Sequence, residues 1–385
     1  MENKKKIKVA LVRGDSLNAW EGGMWSDLGS EIEVEGFCSK KNLYPITDLK
    51  FPVNILRSST DCRLQNFYYQ YLKGKYQQLF GLEKKLSSFD IVHTAEISYY
   101  FTLQAVNAKK SNPNLKVVTT VWDNSFGRFE HDYPFLGKPP VFWKNKIYKI
   151  IKENAAGVDL FLPVTNYSAE LLREYGVPDK KIKILTPAVQ KNKIKYANNF
   201  KFDGDVYLMV NRLVKEKGVY EVVYGWKAYL RDIKQKEKKK LVIIGSGKEK
   251  RCLEELVVSL GLKENVIFAG KMLNSEVRSL YTDAKALILG SLVTPLWQEQ
   301  FGYVLAEAVT AGCPVVCTFS GAIPEVVGKA GLFFSPGNPL ELKDRLKDLD
   351  NPEIYLTLKK NCEEVGSKFE YEKFKRSLSE IYRDL

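Results

Sequence analysis

Two acidic residues, Glu299 and Glu307, stand seven residues apart in "EQFGYVLAEAVTAGCPVV" (Glu299–Val316). From Phe301 onward the stretch is apolar enough for a buried helix that closes at Ala311-Gly312 before a strand at Pro314. Val304, Leu305, Ala306, Ala308 and Val309 leave little polar face around Glu307, so a carboxylate there calls for a partner. Glu307 can accept two hydrogen bonds from a vicinal diol such as a ribose presents, while Glu299 reaches a neighbouring group. The free amides at the helix start attract anions, and Gly302 lets a ligand approach the backbone closely. A second motif, "NRLVKEKG" (Asn211–Gly218), sets Arg212 and Lys217 in one loop where both can fork onto a diphosphate. One ligand bearing phosphates and hydroxyls would satisfy both acids.

Such residues need a frame. In the second half, strand patterns fall at Asp205–Arg212, Lys240–Gly247, Val266–Met272, Ala286–Leu292, Pro314–Phe319 and Gly331–Pro336. Helical patterns fit between them at Gly218–Asp232, Glu249–Leu260, Asn274–Asp283 and Gly302–Ala311. The first half alternates in the same way, with strands near residues 8–13, at Asp90–Ala95, Lys116–Trp122, Leu160–Thr165 and Ile182–Ala188. The fold class is α/β: two doubly wound, Rossmann-like domains with parallel sheets, ligands being expected beyond the carboxyl ends of the strands. Arg212, Lys217 and Glu299 all fall on that edge. The polar stretch from Gln190 to Asp205 reads as the linker.

Composition narrows the classes. The 385 residues are 45% hydrophobic and 27% charged, a globular balance, with a net charge of +13 that favours an anionic partner. No apolar run approaches the ~18 residues a membrane span needs. The apolar run after "MENKKK" is too short for a signal-peptide core, so the chain is expected in the cytoplasm. Six scattered cysteines without a CxxC pair read as reduced thiols, and His93 and His131 alone make no zinc constellation.

The succession "NRLVKEKG", "LVIIGSGKEKRCLEELVVSLGLKENVIFAGKM", "EQFGYVLAEAVTAGCPVV" and "SGAIPEVV" resembles glycosyltransferase family 4, the retaining enzymes of the GT-B fold. The likeness covers residues 205–366, and the tail "SKFEYEKFKRSLSEIY" resembles the family's last helix, which crosses back to the N-terminal domain. The resemblance implies two Rossmann-like domains facing across a cleft. They would be an acceptor-binding domain at 1–189, a linker at 190–204, a nucleotide-sugar-binding domain at 205–366 and a returning helix at 367–385. It further implies a UDP- or GDP-sugar as co-substrate, with no cofactor and no metal. Arg212 and Lys217 would hold the diphosphate, Glu307 the ribose, and Glu299 with the amides of Phe301, Gly302 and Tyr303 the transferring sugar. Lys271 and Met272 would lie beside the base, with Gly22, Gly23 and Gly245 as further donor contacts. The catalytic set would be Glu299, Arg212 and Lys217, the basic pair stabilising the leaving diphosphate.

The first half departs from the family pattern. "WEGGMWSDLGSEIEVEG" supplies Gly22 and Gly23 but little room for the long helix that usually follows, and "VWDNSFGRF" stands where many members place a histidine. Trp122 and Asp123 are therefore candidate acceptor or sugar contacts, a turn-capping aspartate being the plainer alternative. The acceptor is expected to be a glycan, a lipid-linked sugar or a small molecule. Two basic, aromatic-rich segments, 66–86 and 141–151, could lie on an anionic membrane surface or pack their apolar faces on the sheet. The membrane alternative would place the protein peripherally on the inner face.

Three other readings compete. "GSGKEK" (Gly245–Lys250) suggests an NAD-dependent oxidoreductase, but it lacks a third glycine and follows its domain's second strand. A glycosidase using the two glutamates leaves Arg212 and Lys217 without a task. A non-catalytic anionic-ligand binder would account for the charge, but no nucleic-acid signature is present.

Overall fold

The computed structural model describes residues 6–61, 77–124, 141–189, 204–295 and 297–385. Nearly all of the linker expected at 190–204, and residues 66–76 of the first aromatic, lysine-rich segment, lie outside the described residues, as do Cys62 and His131. The chain divides into two compact units, residues 1–188 with 371–385, and residues 189–370.

The first unit is built on six parallel strands: β1 (Ile7–Gly14), β2 (Ile32–Ser39), β3 (Val53–Leu56), β4 (Ile91–Ala95), β5 (Lys116–Val121) and β6 (Leu160–Pro163). Their order is β3-β2-β1-β4-β5-β6. β1 is buried from Val9 to Gly14 and β4 along its whole length, because helices cover both faces of the sheet. The short edge strand β3 was not anticipated: it has only four residues, is interrupted by Asn54 and exposes Ile55. The strand expected at 182–188 does not form. Ile182 makes one bridge to Phe161, and the amides of Lys183 and Leu185 reach β6, but Pro187 has no N–H to continue a ladder. In the Val141–Gly157 helix, Ile147, Ile150 and Ile151 are buried, so its apolar face belongs to the unit's core.

The second unit repeats the plan with β7 (Asp205–Val210), β8 (Lys239–Ile244), β9 (Val266–Gly270), β10 (Ala286–Leu289), β11 (Val315–Thr318) and β12 (Gly331–Phe334). The order β12-β11-β10-β7-β8-β9 puts β7 beside β10, with Tyr207 opposite Ala286 and Leu208 opposite Leu287. Connections leave these two strands in opposite directions, and loops diverging from such a switch point leave a crevice for a ligand. Helices fill the flanks at Val219–Asp232, Lys250–Ser259, Asn274–Tyr281 and Tyr303–Thr310, each within a few residues of its expected bounds. Tyr207 of β7 packs with Trp226 and Tyr229 in the core, their rings tilted against one another.

The last helix, Tyr371–Asp384, packs on the first unit, where the fully buried Tyr382 is the anchor. Its hydroxyl accepts from Trp25 Nε1 at 2.8 Å and lies 2.5 Å from His93 Nδ1, whose other ring nitrogen is 2.7 Å from Thr120 Oγ1. Burial, and then the Arg13 charge, hold the His93 imidazole well below its ordinary pKa, so this histidine is a neutral packing residue. The preceding turn, Ser367–Phe369, stays with the second unit: Phe369 is buried edge-on against Phe301, and its carbonyl accepts from the Val189 amide. In the division into compact units the first unit takes up the chain again at Tyr371.

Candidate active site

The loop after β7 carries "NRLVKEKG", and the loop after β10 carries Glu299, so the two motifs meet at the switch point of the second sheet. Their approach is close. A Cβ on Gly218 would lie 1.8 Å from the Gly290 carbonyl oxygen, and Gly218 is left-handed at φ +61°, so glycine is required there. Just inside this contact, Lys217 Nζ donates to Glu299 Oε2 at 2.7 Å. Ser291 Oγ donates to the same oxygen at 2.7 Å, and the Glu299 carbonyl accepts from the Ala322 amide. Ser320 Oγ accepts from the Glu299 amide and donates to the Leu292 carbonyl, tying the loops after β10 and β11 together. The indole of Trp297 lies under the Lys217 ammonium, 4.7 Å from it. A cation held between a carboxylate and an aromatic face is confined in position.

Lys217 and Glu299 were expected on different parts of a ligand; the structure joins them as one pair with 14% and 10% of their side chains exposed. Arg212 behaves differently. It is exposed and makes no ion pair among the described residues, so its guanidinium is available to an anion. Asn211, at the end of β7, keeps both side-chain polar atoms buried without partners.

Gly302, left-handed at φ +77°, opens the Tyr303–Thr310 helix, and Glu307 follows on its second turn, buried to 8% exposure. Burial lifts its carboxyl to about 7, against the attraction of Arg278. Arg278 Nη1 lies 3.7 Å from Glu307 Oε1. Phe301 is 3% exposed and packs on Tyr303 and Phe369, so only its backbone can face a ligand. Lys271 is exposed and Met272 half-buried, both after β9.

Gly245 falls after β8, one strand away from the switch point, with its amide donating to the Gly270 carbonyl. That position argues against "GSGKEK" as a dinucleotide-binding turn, which belongs at a switch point.

In the first unit, Gly22 ends a four-residue helix and Gly23 opens a single 3-10 turn; no long helix follows them. The Trp122 and Asp123 amides both donate to Glu96 Oε1, and the Trp122 ring meets Trp20 edge-on at 6.3 Å. Asp123 is buried to 4% exposure. Asp15, after β1, was not anticipated: burial raises its carboxyl to about 6, and its Oδ2 has no partner.

Residues 190–367 match the family model Glycosyl transferases group 1, and residues 51–193 match Glycosyltransferase Family 4. The chain belongs to glycosyltransferase family 4. This glycosyltransferase is 29% identical over 185 residues to the alpha-monoglucosyldiacylglycerol synthase of Acholeplasma laidlawii, covering 48% of this chain and 44% of that one. It is 28% identical over 185 residues to the N-acetyl-alpha-D-glucosaminyl L-malate synthase of Bacillus anthracis, covering 47% and 45%. The matches thus span about half the length of these curated relatives. Among solved structures it is similar to Anabaena HepE in complex with UDP, with TM-score 0.70 and 15% identity over 98% of this chain and 100% of that one. Its fold is the two-domain α/β GT-B fold.

Trp297, Ser291, Ser320, Arg278 and Tyr281 surround the glycosyltransferase's two motifs, and sequence reasoning singled out none of them. Arg278 sits 29 positions from Glu307 in an ordinary amphipathic helix, and only the fold brings it near. Among the described residues no group of acidic, histidine and cysteine side chains could hold a metal ion, and no helix is long and apolar enough to cross a membrane.

Proposed function

We propose that the second unit binds a nucleotide-sugar and that the enzyme transfers its sugar to an acceptor with retention of configuration. The observation that carries this reading is the Lys217–Glu299 pair at 2.7 Å, on the switch-point edge and just ahead of the Gly302 helix start. That arrangement suits a ligand with a diphosphate at one end and hydroxyls at the other. Glu307 would take the ribose diol, Arg212 and Lys217 the diphosphate, and Glu299 with the amides from Phe301 to Tyr303 the sugar. In the reaction, the bond from the anomeric carbon to the diphosphate oxygen breaks and its electron pair stays on the diphosphate. The acceptor oxygen bonds to the same face, and its proton passes to the leaving phosphate oxygen. Fixed cations in the loop after β7 meet the growing charge, so the reading includes metal-independent transfer.

The UDP bound by HepE, which shares this fold, supports a uridine nucleotide, and GDP is the second candidate. Relatives named for alpha-linked products support retention. A glycan, lipid-linked or small-molecule acceptor would be met by the first unit, where Asp123 and Trp122 are the proposed contacts.

Losing one donor to a developing charge costs ~3 kcal/mol, about a hundredfold in rate. Arg212→Ala and Lys217→Ala should each lower turnover by about that factor, and wild-type activity should persist in excess chelator. Activity that chelator stops and magnesium or manganese restores would overturn the metal-free reading.

A further inference from the structure

Glu307 is placed where a carboxylate should not stay charged. Its helix is apolar on nearly every side, with Leu305, Ala306, Ala308 and Val309 at 0% exposure. The Ile323–Val327 helix meets it with Ile323, Val326 and Val327, all buried, and the Pro352–Gly366 helix approaches Thr310 through Gly366. The Asn274–Tyr281 helix is the exception, since it brings Arg278 and Tyr281 toward the carboxylate. The Arg278–Glu307 pair is shielded, with side-chain exposures of 16% and 9%. Tyr281, one turn along, is fully buried, and its hydroxyl has no partner. Burial and then the Glu307 charge hold that phenol far above its ordinary pKa, so it stays neutral.

We propose that Arg278 is a positioning residue for the nucleotide, holding Glu307 as a charged acceptor aimed to receive a vicinal diol. The inference rests on the assignment of Glu307 to the ribose. A protonated carboxyl would donate one hydrogen and lose acceptor strength, so it would hold a diol poorly. The guanidinium supplies a fixed positive charge beside the carboxylate. At 3.7 Å it attracts the carboxylate while leaving room for the diol to bind the same oxygens. With Glu307 already at about 7, loss of that field would carry the carboxyl further up, into its neutral form at pH 7.

The test is calorimetric titration of the whole chain with UDP, and separately GDP, from acid to alkaline pH. Wild-type affinity should fall as pH drops through about 7. In Arg278→Met the midpoint should move up by about one pH unit or more, giving roughly fivefold or more weaker binding at pH 7 and near wild-type binding in alkali, where Glu307 ionises regardless. Arg278→Lys should restore most of the loss at pH 7, and Arg278→Gln, which also removes the charge, serves in place of Arg278→Met should that variant fail to fold. Titration of the ligand's own phosphate is common to all variants and cancels. Weakening by the same factor at every pH would overturn the proposal, because it would mean direct ligand contact or general disorder. Glu307→Gln separates the two levels: wild-type affinity in that variant sinks the ribose assignment itself. Weak, pH-independent binding in Glu307→Gln, with an unmoved midpoint in Arg278→Met, sinks only the role of Arg278.

Discussion

Replacing Glu307 with glutamine should stabilise the protein in alkali while weakening nucleotide binding. Burial raises the carboxyl from 4.5 to about 7, so between those values the native state holds a proton that the unfolded chain has lost. The stability from that proton is complete below 4.5 and disappears as pH rises through 7. The displacement corresponds to about 3 kcal/mol, and with the side chain 9% exposed little of it is screened by solvent. Glutamine does not titrate. The stability of Glu307→Gln relative to wild type should therefore rise by about 3 kcal/mol between pH 4.5 and pH 8. For a unit of this size that is a relative gain of roughly 6–12 °C in Tm. Comparing the two pH values removes any constant cost of leaving Arg278 without its partner. Differential scanning calorimetry across that range reads the gap directly. A gap that stays constant with pH would refute the reasoning, since it would mean Glu307 titrates as an exposed carboxyl.

Trp297→Leu should lower turnover by about fivefold, the value of one cation–π contact of ~1 kcal/mol, with Trp297→Phe close to wild type. Equal losses in both would mean that the indole acts other than through the Lys217 ammonium. The apolar face of the Val141–Gly157 helix is buried, so any membrane contact there must be electrostatic. Flotation should show salt-sensitive binding to anionic but not neutral vesicles, lost in Lys146→Glu/Lys149→Glu; absence of lipid preference would leave these lysines as a solvated face.

Local signals carried most of the second unit. Its strands and helices alternate with clear breakers, and glycines at 218 and 302 stand where left-handed backbone is needed, so the motifs could be placed on the carboxyl edge. The first unit was less legible. β3 is a short, half-exposed edge strand, and the segment at 182–188 has strand composition until Pro187 ends its pairing. Within the site, residue types were readable but pairings were not. Lys217 and Glu299 lie 82 positions apart, and their contact depends on β7 lying beside β10. Arg278 and Trp297 gave no signal, because their chemistry arises from what they face.

If the proposed function holds, the second unit binds a nucleoside diphosphate-sugar on the Lys217–Glu299 pair. Thermal denaturation with a panel of nucleotide-sugars at millimolar concentration tests it most directly. A ligand at 100 times its Kd adds about 2.7 kcal/mol, or roughly 5–10 °C for a unit of this size. At least one UDP- or GDP-sugar should raise the Tm of the wild type by about that much and leave Lys217→Ala nearly unchanged. Stabilisation by NAD with none by any nucleotide-sugar, or an equal shift in Lys217→Ala, would contradict the account.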